Sequence, residues 1–251
     1  MFRVVVPARF GSTRLPGKVL LPLAGKTVLE WVCERARASR AAQVLVATDD
    51  RRIAQAAAGF GVEAVMTGTA HPSGTDRIAE VARLEGWRDE DVVVNLQGDE
   101  PLMPPALIDQ VSGLLEVHAW AGIATLSSAV TTLEELLDAS VVKVVADRRG
   151  RALYFSRAPI PWDRDGAPAG RSIQRSFRGA RRHIGLYAYR VAALQELARL
   201  APTPLEQYEK LEQLRALENG LGIVVAEAVE RPGQDVNTAE DLERARALLE
   251  R

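Results

Sequence analysis

Arg3-Val-Val-Val-Pro7-Ala8-Arg9-Phe10-Gly11-Ser12-Thr13-Arg14-Leu15-Pro16-Gly17-Lys18 is the stretch on which the reading of this chain turns. After Arg3, Val4 to Val6 form an unbroken apolar run, the pattern of a buried strand. The run gives way to a polar loop from Ala8 to about Lys26. Beyond it, Thr27 to Ser39 carries Val28, Leu29, Val32, Cys33 and Ala36 at helical spacing. A strand, a loop rich in glycine and cations, and then a helix is the opening of an open α/β sheet.

The alternation continues outward. Gln43-Val-Leu-Val-Ala47 reads as a second strand ending in Thr48-Asp49-Asp50, followed by a helix over Arg51 to Ala58. Glu63-Ala-Val-Met66 is a third strand, with a loop to Gly74 and a helix from Asp76 to Leu84. Asp91 to Leu96 is a fourth strand, and Pro105 to Val117 a helix. Short apolar runs separated by helices of about ten residues predict a three-layer α/β/α, Rossmann-like fold with a mostly parallel sheet. The second half is less regular. Val141 to Ala146 and Arg151 to Phe155 flank the turn Asp147-Arg-Arg-Gly150 and predict a hairpin. His183 to Tyr189 reads as a strand, and with the hairpin it is expected to form a smaller excursion over about 141–190. Asp163 to Arg182 shows no periodicity and reads as a mobile loop. Thr203-Pro204 opens a helix expected to reach about Glu218, Ile223 to Ala226 is a last strand, and Thr238 to Asp241 resembles a capping box for a C-terminal helix. The whole of 1–251 reads as a single domain.

Composition excludes several classes. Of 251 residues, 47% are hydrophobic and 26% charged, with 32 Lys plus Arg against 33 Asp plus Glu, so no charge surplus argues for nucleic acid or an anionic membrane as partner. No stretch approaches the ~18 apolar residues of a membrane span. The N-terminus runs straight into a strand with no signal peptide, and the only cysteine, Cys33, lies on a helical face as a buried, inert thiol. A cytoplasmic protein is expected. The three histidines, His71, His118 and His183, do not pair at zinc-ligand spacing.

In open α/β sheets ligands bind at the carboxyl ends of the strands, and the polar clusters fall there. The loop Arg9 to Lys18 places three cations within ten positions, suited to a polyphosphate. It is not a P-loop, because five residues separate Gly11 from Gly17 and Val19 follows the lysine. In Gln97-Gly98-Asp99-Glu100-Pro101, a carboxylate ends a buried strand beside that loop, and Asp99 is a candidate Mg²⁺ ligand. In His71-Pro-Ser-Gly-Thr-Asp-Arg77, hydroxyls and Arg77 could read a base edge; a plain helix cap at Ser73, Thr75 or Asp76 accounts for the segment equally well.

These segments resemble the 3-deoxy-manno-octulosonate (Kdo) cytidylyltransferases, or CMP-Kdo synthetases, over essentially the whole chain. The likeness rests on Val6-Pro-Ala-Arg9, Ser12 to Lys18, Val46-Ala-Thr-Asp49, Ser73-Gly-Thr-Asp-Arg77, Val94-Asn-Leu-Gln-Gly-Asp-Glu-Pro101, Ala152-Leu-Tyr-Phe-Ser-Arg157, Ile160-Pro-Trp-Asp-Arg164, His183-Ile-Gly-Leu-Tyr187, Leu205-Glu and Leu211-Glu-Gln-Leu-Arg215. The cationic loop marks the wider class of sugar nucleotidyltransferases; the Tyr-Phe-Ser-Arg, Ile-Pro-Trp-Asp-Arg and Leu-Glu-Gln-Leu-Arg segments are more specific to the Kdo enzymes.

The resemblance implies transfer of CMP from CTP to the anomeric hydroxyl of Kdo, Mg²⁺ dependence, a homodimer built on the excursion, and a place in lipopolysaccharide synthesis. It implies that Pro7, Ala8 and Asp99 contact CTP, that Arg9, Ser12, Thr13, Arg14 and Lys18 hold its triphosphate, that Ser73 and Arg77 read cytosine, and that Gln97 touches both nucleotide and sugar. It further implies that Asp99 binds metal, that Arg14, Lys18 and Asp99 are catalytic, and that Tyr154, Arg157, His183, Tyr187, Glu212 and Gln213 line the Kdo pocket. One position departs from the pattern. Where the family reads Val-Asp-Thr-Pro-Glu-Asp-Leu, this chain reads Val236-Asn237-Thr238-Ala-Glu-Asp-Leu242, with Asn237 in place of a metal-binding Asp. Either Asn237 binds through its carbonyl, helped by Asp235, or the metal site is weakened. The rivals are an enzyme for another acidic sugar, such as 8-amino-Kdo, and a non-catalytic nucleotide-binding homologue.

Overall fold

The computed structural model describes residues 1–11, 15–166 and 176–250. The expected loop over Asp163 to Arg182 therefore lies partly outside the described residues, as do Ser12, Thr13 and Arg14.

The elements in chain order are β1 (Phe2–Pro7), a 3-10 turn (Lys18–Leu20), β2 (Pro22–Leu23), β3 (Lys26–Thr27), α1 (Val28–Arg37), β4 (Gln43–Thr48), α2 (Arg51–Gly59), β5 (Glu63–Met66), α3 (Gly74–Leu84), β6 (Val92–Asn95), α4 (Pro105–Val117), β7 (Ile123–Ala129), α5 (Leu133–Leu137), β8 (Lys143–Ala146), β9 (Ala152–Ser156), β10 (Arg181–Arg190), α6 (Val191–Arg199), α7 (Pro204–Glu209), α8 (Gln213–Glu218), β11 (Ile223–Glu227) and α9 (Ala239–Leu249). The main sheet runs β11-β7-β10-β6-β1-β4-β5, with β8 and β9 attached beside β10. The neighbours β6, β1, β4 and β5 are parallel, as are β7 and β11; β10 is antiparallel to both β6 and β7.

Strands buried on both faces supply two cores at once. Val4, Val6, Val46 and Val94 pack into one cluster with residues of α1, α2 and α4; Val5, Leu45, Ala47 and Val93 pack into another with residues of α3, α6 and α8. The single-residue alternation of side chains makes this possible, and the unbroken apolar runs follow from it. Side-chain oxygens satisfy the helix starts: Thr27 accepts from Glu30 N at 3.1 Å, Ser73 from Asp76 N at 3.2 Å, and Thr238 and Asp241 form the expected capping box. Cys33 is buried in α1, and burial pushes its thiol up to about 12.

Two expectations are corrected. The strand assigned to a smaller excursion, His183 to Tyr189, belongs to β10, an interior member of the main sheet; the β8–β9 hairpin branches away, pairing through Arg182 and Lys143. The helix expected from Pro204 to Glu218 is two short helices. Lys210 between them takes a left-handed conformation, φ 55° and ψ 47°, which ends α7 after little more than a turn and re-aims the chain before Glu212.

Candidate active site

At the carboxyl end of β1, the chain passes through Pro7, Ala8 and Arg9 into the cationic loop. Two contacts close the described base of that loop. Gly17 N donates to Phe10 O at 3.0 Å, and Gly17 has φ 67° with the Phe10 ring 3.0 Å from where a Cβ would stand. Any other residue there would be strained and would collide with the ring. Lys18 is thereby carried to Asp99, at the end of β6, and the two form an ion pair. The Lys18 ammonium also donates to Asn237 Oδ1 at 3.3 Å. Asn237 Nδ2 donates in turn to Asp235, and Val236 N donates to Asp99 O at 2.8 Å, fastening the C-terminal segment to the end of β6. Of the candidate metal residues, Asp99 and Asn237 are thus brought together around one cation, and Asp235 joins them through Asn237. Gly98 allows the approach, since a Cβ there would meet Pro7 O at 3.0 Å.

Glu100 was not assigned a role from the sequence. Burial, reinforced by Asp99 and then Asp235, pushes its carboxyl up to about 8. Burial and Asp99 also raise Asp235. Carboxyl groups crowd this corner of the molecule, and a cation among their oxygens would relieve their mutual repulsion.

Two adjoining cavities open from this edge, and Gln97 lines both. The first, about 150 Å³, is lined by Pro7, Ala8, Arg9, His71, Pro72, Ser73, Gly74, Arg77 and Gln97, and so gathers most of the described residues expected to hold the nucleotide. Arg77 is buried and anchored, with Nη2 3.2 Å from Asp49 Oδ2 and a hydrogen bond to Thr67. Ser73 is the cap of α3, as one of the two sequence readings had it, and it also lines this cavity.

The second cavity, about 60 Å³, brings together Gln97, Tyr187, Glu212 and Gln213 of the expected sugar residues, and adds Thr75, Asn95 and Tyr189. Tyr187 stands opposite Asn95 in the β10–β6 ladder, which places it level with the carboxyl end of β6. Its hydroxyl is buried with no hydrogen-bond partner among the described residues. Glu212 receives a hydrogen bond from Thr75, and burial raises its carboxyl above the usual range. Thr75, Asn95 and Tyr189 lie inside segments whose sequence was informative, yet only their inward direction in α3, β6 and β10 separates them from their neighbours.

Three expected sugar residues do not line that cavity. His183 lies behind it, its ring 5.2 Å from that of Tyr187. Burial holds the His183 imidazole down at about 3. Tyr154 and Arg157 sit on and just beyond β9. There Arg157 Nε donates to Glu209 O at 2.7 Å and Nη1 to Ala139 O at 2.9 Å. Glu209, unmarked by any motif, accepts from Ser156 Oγ at 2.5 Å and from Arg157 N at 2.9 Å, and so ties the hairpin to the end of α7.

The chain is similar to known proteins over nearly its whole length. A family model described as Cytidylyltransferase matches residues 3–228. The 3-deoxy-manno-octulosonate cytidylyltransferase of Thioalkalivibrio sulfidiphilus is 54% identical over 249 residues, covering 99% of this chain and 98% of that protein. Its counterpart in Pseudomonas fluorescens is 52% identical with the same coverage of both. A solved structure of CMP:2-keto-3-deoxy-manno-octonic acid synthetase complexed with CTP matches with a TM-score of 0.89 at 41% identity, over 99% of this chain and 98% of that one. A cytidylyltransferase from Leptospira borgpetersenii shares the fold, with a TM-score of 0.63 at 18% identity over 99% of this chain and 86% of that one. The chain belongs to the 3-deoxy-manno-octulosonate cytidylyltransferase family.

Proposed function

We propose that this protein transfers CMP from CTP to the anomeric hydroxyl of Kdo and releases pyrophosphate. The observation that carries the reading is Gln97, shared between a cavity lined by Arg9, Ser73 and Arg77 and a second lined by Tyr187, Glu212 and Gln213. A donor nucleotide in the first and a polyol acid in the second would meet beside Lys18 and Asp99.

The step joins the sugar oxygen to the α-phosphorus and breaks the bond between the α-phosphorus and the bridging oxygen; the electron pair leaves with pyrophosphate. Such transfers need positioning and charge neutralisation more than covalent help. Arg9 and Lys18 supply positive charge where the departing pyrophosphate gathers negative charge. Arg77, rigid because Asp49 and Thr67 hold it, offers its remaining N–H groups to the base. Tyr187 and Glu212 meet sugar hydroxyls: the unpartnered Tyr187 hydroxyl gains a partner, and Glu212 accepts.

Asp99 Oδ2 and Asn237 Oδ1 converge on the Lys18 ammonium, and hard oxygens that gather about a cation fit Mg²⁺. Among the described residues no three acidic, His or Cys side chains form a metal cage by themselves, so phosphate oxygens would complete the coordination. Asp99 and Asn237, with Asp235 beside them, would hold the ion, which when bound supplies Lewis-acid neutralisation of the phosphates. Calorimetric titration of Mg²⁺ into the CTP complex tests this assignment. Asn237→Asp is expected to tighten metal binding by about ten-fold through its added charge; unchanged affinity contradicts it.

The exposed Leu153 on β9, and Leu205 and Tyr208 on α7, support a homodimer contact on the hairpin side. A cytoplasmic role in lipopolysaccharide synthesis accords with the family and the buried free thiol of Cys33. The reaction is tested by pyrophosphate release from CTP, ATP, GTP or UTP with Kdo, 8-amino-Kdo or sialic acid. Release that requires CTP and Kdo supports the reading; release with another acid moves the sugar assignment, and none with any pair overturns it.

A further inference from the structure

The loop between β5 and α3 stands between two cavities. Its residues His71, Pro72 and Ser73 line the nucleotide cavity of about 150 Å³. The same three line an outer groove of about 780 Å³, together with Leu200, Pro202 and Lys210. Both ends of the loop are fixed. Thr67 N donates to Thr48 O at 2.9 Å, and Ser73 caps α3. The middle is different: Gly68, Thr69, Ala70 and Pro72 are exposed, so burial of apolar surface does not hold it.

Among the described residues, the hydrogen bonds of residues 68–72 go to one atom. Gly68 N donates to Glu80 Oε2 at 2.8 Å, and His71 Nε2 bonds to the same oxygen. Glu80 lies three residues beyond Arg77 on α3. The His71 hydrogen bond, and then that of Gly68, holds the Glu80 carboxyl below its usual range, so it is ionised and only accepts. Nε2 therefore carries the proton of the His71 contact. Arg83 lies 3.9 Å from the other carboxylate oxygen, but it is largely exposed and adds little. Charge-assisted hydrogen bonds are about twice as strong as neutral ones, and two of them on one oxygen make Glu80 the tie that closes the loop.

We propose that Glu80 is a positioning residue for the nucleotide: it fastens Gly68 and His71, so that the loop holds the wall of the CTP cavity in place before substrate arrives. This rests on the reading of that cavity as the nucleotide site. Without the tie, the middle of the loop is free to leave its place, and CTP binds only the fraction of molecules whose loop is set. Apparent affinity falls by that fraction. None of Gly68, His71 and Glu80 lines the sugar cavity, so the cost falls on CTP alone.

Amide hydrogen exchange in the unliganded protein reads the tie directly. The Gly68 amide is expected to be protected, although Gly68 is exposed, and to lose that protection in Glu80→Ala. A Gly68 amide that exchanges freely in the unaltered protein overturns the tie without reference to any substrate. Calorimetry with CTP and pyrophosphate release then read its consequence. Glu80→Ala is expected to weaken CTP binding and raise KM for CTP about ten-fold, the effect of a loop in place about one-tenth of the time, with kcat and KM for Kdo within about two-fold. Glu80→Gln keeps an oxygen that can accept both bonds, and it is expected to restore Gly68 protection and most of the CTP affinity. A Glu80→Ala variant that exposes the Gly68 amide yet binds CTP as before overturns the positioning role. So does an equal rise in both KM values that Glu80→Gln does not rescue. An unaltered protein that binds no CTP overturns the nucleotide reading, and this role with it, whereas equal binding by protein and variant overturns the role alone.

Discussion

The nucleotide side and the sugar side of the crevice are built differently. The nucleotide side consists of loops and helix starts that directly follow parallel strands: Pro7 to Arg9 after β1, Asp49 after β4, and Ser73 and Arg77 at the head of α3. Its groups are charged and anchored by ion pairs, such as Arg77 with Asp49 at 3.2 Å. The sugar side consists of side chains projecting from an antiparallel strand, β10, and from the break between α7 and α8. Burial governs its groups: it holds His183 down at about 3, raises Tyr187 well above the ordinary phenol range and raises the Glu212 carboxyl. Charge recognition can use groups at the mouths of loops, whereas recognition of hydroxyls depends on buried partners with fixed donor and acceptor roles.

The sharpest way to break that contrast is at its charged end. Lys18→Ala is expected to lower kcat/KM in pyrophosphate release by about 10²- to 10³-fold, the usual cost of one preorganised charge-stabilising donor. A loss under ten-fold would mean that Lys18 serves only to neutralise Asp99.

On the sugar side, Glu209→Ala removes the acceptor that ties Ser156 and Arg157 to the end of α7. Urea unfolding is expected to show a loss of about 2 kcal/mol, with KM for Kdo rising and KM for CTP unchanged. Equal disturbance of both KM values would show that the hairpin supports the whole crevice.

Tyr187→Phe separates binding from stability. The hydroxyl is buried without a partner among the described residues, so its removal is expected to leave stability within about 0.5 kcal/mol of the original or to raise it, while KM for Kdo increases five- to ten-fold, about 1 kcal/mol. A destabilised variant would mean that the hydroxyl is already paired.

The smallest effect is expected from His183 near neutrality. Its folded value, about 3, lies below the ordinary 6.5, so the unfolded chain binds the extra proton more readily. The stability tied to its neutral ring is fully present above about 6.5 and is lost as pH falls toward 3. A His183→Gln variant should therefore show a shallower acid limb in denaturation, and no difference in pH slope above 7. A His183 resonance that titrates near 6.5 would contradict the burial of this ring.

The same contrast explains what could be read in advance. The strands before parallel crossovers were legible because apolar runs buried on both faces have no polar interruptions. β7 was not, since Thr125, Ser127 and Ser128 break its pattern; Thr125 and Ser127 are buried only because their hydroxyls reach carbonyls, Ser127 Oγ donating to Ala226 O at 3.3 Å. α6 begins directly from β10 with no turn residue between them. The break at Lys210 was hidden because lysine gives no signal for a left-handed turn. On the nucleotide side, contiguous motifs sufficed to pick out Arg9, Lys18, Arg77 and Asp99. On the sugar side, the residues that share one cavity lie between Thr75 and Gln213, and only the resemblance drew Tyr187 and Glu212 together; Thr75, Asn95, Tyr189 and the organising Glu209 awaited the packing.

The central claim is that the two sides meet for one transfer, and phosphorus NMR of the protein with CTP, Kdo and Mg²⁺ tests it most directly. The expected result is equal growth of pyrophosphate and of a phosphodiester signal from CMP-Kdo, with none when Kdo is left out. Unchanged CTP, or pyrophosphate accompanied by free CMP and no phosphodiester, would contradict the account.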